Sequence, residues 1–245
     1  MTELPRVVLI SDLRAVPIEE LERRCTSSDE RLVVLVRDKD LPRGPRLALA
    51  ERVVACVHGA NAPLEAPKDG APSPRTARTG ALTARVHGAN APLEAPKDGA
   101  PSPRTARTGA LTARGRHLVW IAEDLELALA VGADGVHLGS GATRERAEAV
   151  RAKGLWLSVA CHSVAEVADR EQRHGADSVF LSPIFETPGK GPPLGLTALT
   201  EAARRRTRTR LVALGGITAE RAEACFDAGA DAVAAIRADL TRLRA

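Results

Sequence analysis

Short apolar runs rich in Val, Ile and Leu recur along the chain, separated by stretches in which apolar residues return every three or four positions. The runs are RVVLIS (Arg6 to Ser11), LVVLVR (Leu32 to Arg37), HLVWIA (His117 to Ala122), GVHLG (Gly135 to Gly139), LWLSVA (Leu155 to Ala160), SVFLSP (Ser178 to Pro183), RLVALGG (Arg210 to Gly216) and AVAAI (Ala232 to Ile236). Between them lie PIEELERRC, LALAERVVACV, DLELALAVG, TRERAEAVRAK, SVAEVADREQRHG and TAERAEACFDAG, with Gly near several ends. Runs this short fit buried strands, and the longer spacing fits amphipathic helices. Their alternation predicts parallel strands joined by helical crossovers, and eight βα units predict a closed α/β barrel of the (β/α)8 type. An open doubly wound sheet is the alternative, because a linear pattern does not show closure.

One stretch breaks the pattern. The sequence VHGANAPLEAPKDGAPSPRTARTGALTAR occupies Val57 to Arg85 and again Val86 to Arg114, identical at all 29 positions. Repeat architectures stack several diverged units, each with an apolar face. This unit has no such face and carries Pro63, Pro67, Pro72 and Pro74, so it is expected to be loop in large part. The expectation is a single domain over 1–245 with a duplicated insert at 57–114, between the second helix and the third strand. The duplication is either recent or a sequence artefact.

Composition narrows the function classes. A chain of 245 residues, 44% of them hydrophobic, suffices for one barrel. The opening MTELPRVVLISD holds too short an apolar run for a signal peptide or a membrane span, so no membrane association is expected. Cys25, Cys56, Cys161 and Cys225 are far apart and form no C-x-x-C pair, which fits a reducing, cytoplasmic setting. The net charge of +4 would suit nucleic acid, but aromatics make up only 2% and Tyr is absent. Stacking platforms are therefore lacking, and no nucleic-acid partner is expected. The cluster of Arg204, Arg205, Arg206, Arg208 and Arg210 falls at a helix end, where cations complement the dipole.

Barrel chemistry sits on the loops that follow the strands. After the seventh run come Gly215 and Gly216, opening a helix, and after the eighth come Ile236 and Arg237. Glycines admit an anion close to the backbone and a helix N-terminus favours it, so these four residues are candidates for binding phosphate; a plain tight turn is the alternative. Period-two alternation puts Leu35, Arg37 and Lys39 on one side of the second strand, where the two cations suit a phosphate or diphosphate, or else a solvated strand end. His162 follows the fifth run and is the candidate acid/base, though a capping histidine is the other reading. His137 reads as barrel packing, and His58 and His87 fall in the duplicated segment and are set aside. The loop SPIFETPGKGPPLGL carries Thr187 and Lys190 and has the composition of a mobile lid or of an ordinary loop.

Several segments together, VVLVRDKD, LELALAVGADGVHLG, SVACHSVAEV, GADSVFLSPIFETPGK and LVALGGITAERAEACFDAGADAVAAI, resemble the thiamine phosphate synthase/TenI barrels in order and spacing. The resemblance implies one of two reactions. Synthases join hydroxymethylpyrimidine diphosphate to thiazole phosphate with loss of diphosphate, using Mg2+, whereas TenI-type tautomerases move a proton on the thiazole without metal. In the synthase pattern Gln-x-Arg-x-Lys, Leu35 replaces Gln while Arg37 and Lys39 remain. Ala122-Glu123 stands at the Asn-Asp pair, making Glu123 the one candidate metal ligand, and Gly139-Ser140-Gly141-Ala142 stands at Gly-Gln-Glu-Asp. Ala160 replaces the synthase Ser, and His162 matches the His. These departures imply a TenI-like tautomerase with His162 and Lys190 catalytic, Thr187 at the substrate, and no cofactor. A divergent synthase with Mg2+ and a non-catalytic thiamine-phosphate-binding barrel are the alternatives. The implied partners are small phosphorylated thiazole or pyrimidine metabolites, and exposed barrel helices would allow a homodimer.

Overall fold

The computed structural model describes residues 4–28, 30–38, 40–60, 117–241 and 243. Its strands are β1 (Val7–Ile10), β2 (Leu32–Val36), β3 (Leu118–Ala122), β4 (Gly135–Leu138), β5 (Trp156–Cys161), β6 (Ser178–Leu181), β7 (Arg210–Leu214) and β8 (Ala232–Ala235). They pair in sequence order, all parallel, and β8 returns to β1 with Leu9 opposite Ala235. The closed barrel is the expected fold, and the open sheet is excluded. The described helices are α1 (Ile18–Ser27), α2 (Arg43–Ala60), α3 (Leu125–Ala130), α4 (Arg144–Ala152), α5 (Val164–Asp169), α6 (Gly195–Arg205) and α7 (Ala219–Asp227), with a π-helical turn (Arg170–His174) extending α5.

Strands buried on both faces explain why the runs are continuously apolar rather than alternating. One set, including Val8, Ile10, Val33, Leu35, Trp120, Phe180 and Val212, fills the barrel lumen. The other set, with Leu9, Val34, Ile121 and Val179, packs outward against Leu21, Val53, Ala147, Leu199 and Ala222 of the helices. Three Gly-Ala-Asp triplets close helices onto strands. Gly132, Gly175 and Gly229 take positive φ, and the Asp carboxylates that follow accept the N–H of the second residue of the neighbouring strand: Asp134 from Val119 at 2.9 Å, Asp177 from Leu157 at 2.9 Å and Asp231 from Leu211 at 2.7 Å. These links rivet the N-terminal end of the barrel, away from the mouth.

Two sequence expectations change. Helix α2 runs through Val57–Ala60, so the duplicated segment begins as helix, and Val57 is fully buried because it continues the apolar face set by Leu49 and Val53. His58, set aside with that segment, comes within 3.9 Å of the buried Asp134 carboxylate. His87 and the remainder of the duplication lie outside the described residues. No described helix is long and apolar enough to cross a membrane.

Candidate active site

The C-terminal mouth of the barrel gathers the candidate residues around its rim. At β7 the chain turns through Gly215 (φ 101) and Gly216 (φ 63) into α7. Both glycines are demanded twice over. Their φ values disfavour any side chain, and a Cβ at Gly215 would lie 2.8 Å from Pro183, while one at Gly216 would lie 2.7 Å from the Glu186 carbonyl. The β6 loop is laid against them because Ile184 and Phe185 donate to the Leu214 and Gly215 carbonyls at 2.9 and 3.0 Å. Thr187 is thereby brought to the cradle: its hydroxyl lies 3.2 Å from where a Gly215 side chain would start, and it donates to the Phe185 carbonyl at 3.0 Å. Lys190 is exposed on the same loop, its N–H closing a turn onto the Thr187 carbonyl at 3.1 Å. Arg221, which pattern reasoning passed over, donates to the Gly216 carbonyl at 2.8 Å with its guanidinium 4.8 Å above the Phe185 ring.

Beside the cradle, β8 is followed by Ile236, half-buried, and Arg237, exposed. Their loop is held from below by Arg24 of α1, a buried guanidinium that donates to the Arg237 and Ala238 carbonyls at 3.2 and 3.4 Å and pairs with Glu20 at 2.8 Å. Arg24 is another residue the motif search missed, since a lone Arg in a helix has the pattern of a surface residue.

On β2, Leu35 is buried in the lumen and Arg37, two residues on, stands half-buried at the rim on the same side. Its N–H donates to the Ser11 hydroxyl at 2.9 Å, and Ser11 in turn donates to Asp38, which also accepts the Leu13 N–H at 2.7 Å. Lys39 lies outside the described residues.

His137 does pack in the barrel, as its position in GVHLG implied, with its ring 4.6 Å from Phe180 and Nδ1 2.9 Å from the Ser158 hydroxyl. It also faces the charges of the rim. Burial pushes its pKa down to about 4, with the Arg37 charge adding to the depression and Glu123 opposing it. At neutral pH it is therefore an uncharged imidazole.

His162 is exposed at the end of β5, its N–H bound to Glu166 at 2.9 Å and its Nδ1 2.9 Å from the Ser182 carbonyl. A carbonyl only accepts, so this bond keeps the proton on Nδ1 and leaves the lone pair on Nε2. That is the tautomer a general base requires.

Glu123 follows β3 with φ 63, which swings its side chain across to the β4 loop. Oε1 accepts the Gly139 N–H at 2.6 Å, and Arg146 of α4 donates through Nη2 to Oε2 at 2.8 Å and to the Glu123 carbonyl at 2.9 Å. Both carboxylate oxygens are thus engaged. Among the described residues no three His, Cys, Asp or Glu side chains converge as a metal site. A hard divalent cation wants several oxygen ligands, and the residues at this rim do not fit one.

The thiamine monophosphate synthase family model matches residues 103–238. Curated relatives include thiamine-phosphate synthases of Methanoculleus marisnigri, 43% identical over 48% of this chain and 57% of the relative, and of Lysinibacillus sphaericus, 36% identical over 48% and 56%. The chain thus spans a little over half the length of the curated relatives it matches. Among solved structures, a thiamine phosphate pyrophosphorylase from Pyrococcus furiosus superposes with a TM-score of 0.61 over 97% of this chain and 91% of that one, at 18% identity. At that identity the likeness is one of fold.

Proposed function

The chain belongs to the thiamine monophosphate synthase family, and from that premise we propose that it is a thiamine-biosynthesis enzyme that joins hydroxymethylpyrimidine diphosphate to thiazole phosphate. The observation that carries this reading is the sequence identity of 36–43% to proteins named thiamine-phosphate synthase over about half of the chain, together with the family match over residues 103–238. In this reaction the thiazole nitrogen forms a bond to the pyrimidine methylene carbon as the carbon–oxygen bond to diphosphate breaks, and the electron pair leaves on diphosphate. The Gly215-Gly216 cradle, with Ile236 and Arg237 beside it, takes the thiazole phosphate on backbone N–H groups at the start of α7. Arg37, Lys39, Thr187 and Lys190 are assigned to the diphosphate, the arginine as a planar fork and the lysines as point charges. Neutral His137 lines the lumen without adding a charge next to Arg37.

The tautomerase remains the second reading, favoured by one specific observation. The Ser182 carbonyl presents His162 with Nε2 free to take and return a ring proton. Proton NMR of the purified protein with each thiazole phosphate tautomer, then with hydroxymethylpyrimidine diphosphate and Mg2+ added, separates the two. Thiamine phosphate appearing after the second addition supports the synthase. Tautomer interconversion alone transfers the assignment to His162 chemistry, and silence in both steps would refute both readings.

A further inference from the structure

The rim of β3 and β4 lies opposite the glycine cradle and holds a charge arrangement of its own. A divalent cation at Glu123 would have to displace a backbone N–H from Oε1 and a guanidinium from Oε2. It would gain no second carboxylate from the β4 loop, which reads Gly139, Ser140, Gly141, Ala142. The Ser140 carbonyl of that loop is itself taken by Arg170 at 2.6 Å. The cation already in place is Arg146. Its two bonds both use Nη2, and among the described residues Nε and Nη1 carry no partner, on a side chain 46% exposed at the mouth. A guanidinium engaged through Nη2 has both of its two-nitrogen edges partly occupied, so Nε and Nη1 are each left to offer a single charge-assisted hydrogen bond to a phosphoryl oxygen.

We infer that this chain meets the negative charge of its substrate with the Arg146 guanidinium, held in position by Glu123, in place of a divalent cation. The inference rests on the reading that a phosphorylated substrate occupies this mouth. The pairing also accounts for the positive φ of Glu123, which turns the carboxylate toward Gly139 and Arg146.

Two measurements on the full chain test it. Electron paramagnetic resonance of Mn2+ titrated with the protein is expected to show the free-ion signal undiminished. Calorimetry with inorganic diphosphate in EDTA is expected to show binding by the wild type that falls about 10-fold or more in Arg146→Ala and recovers in part in Arg146→Lys, as expected for a charge-assisted contact. Retention of Mn2+ by the wild type, or equal diphosphate affinity in wild type and Arg146→Ala, would overturn the inference. Circular dichroism of both variants shows whether the fold is kept, and the lysine variant decides the question if the alanine variant is unfolded. Should both binding results hold while no thiamine phosphate forms, the proposed reaction fails and the inference about Arg146 stands.

Discussion

At the scale of single residues, the two glycines and the two rim histidines behave differently from their neighbours for physical reasons that can be measured. Gly216 combines φ 63 with a missing Cβ that would sit 2.7 Å from the Glu186 carbonyl. Gly216→Ala is expected to destabilise the protein by about 1–3 kcal/mol and to raise KM for the thiazole phosphate more than it lowers kcat; an unchanged melting temperature together with an unchanged KM would contradict the cradle. His137 makes a prediction about pH. Its folded-state pKa of about 4 lies below the unfolded value near 6.5, so between these values the unfolded chain holds the extra proton. Stability is therefore flat above that window and falls as pH is lowered through it, by up to about 3 kcal/mol for this one group. Urea unfolding of wild type and His137→Gln across the window checks this, the variant being expected to show the shallower decline. The buried thiols of Cys25 and Cys161 are pushed up to about 12 by burial, so they stay protonated and unreactive at neutral pH.

At the scale of elements, the helices hold the rim from outside. Arg24 ties α1 to the loop after β8, and removing it strips the Arg237 and Ala238 carbonyls of a buried donor while leaving Glu20 with one arginine fewer. Arg24→Ala is expected to cost about 1–3 kcal/mol and to weaken binding of inorganic phosphate, whereas Glu148→Ala, which removes only an exposed pair with Arg144, should change stability by less than about 0.5 kcal/mol. Thermal unfolding and phosphate titration of the two variants make the comparison, and equal effects would remove Arg24 from its role in positioning the loop. The three Gly-Ala-Asp junctions could be read as a repeated motif in the chain, but their purpose could not, because each Asp serves a neighbouring strand rather than its own helix.

At the scale of the whole molecule, the duplicated segment gives a test of the barrel's independence from its insert. Both copies begin with VHGA and end with TAR, so deleting Val86 to Arg114 preserves the junction at the end of α2 and the approach to β3. Halving the connecting chain changes its closure entropy by only about 0.6 kcal/mol. The deletion is accordingly expected to shift the melting temperature by no more than about 2 °C and to leave activity unchanged; loss of soluble expression would refute this. The amino-acid pattern by itself determined the eight βα units, their order along the chain and the paired glycines after the seventh strand, because run length, helical periodicity and the need for glycine are local properties written into consecutive residues. It also marked Arg37, Thr187, Lys190 and His162 by their places just beyond the strands. Only the closed barrel decided what those places mean: that Ser182 sets the His162 tautomer, that burial neutralises His137, that Arg24 reaches the β8 loop, and that Arg146 rather than a second carboxylate meets Glu123. Each of these depends on partners supplied from distant parts of the chain and on exclusion of water, neither of which a linear pattern records.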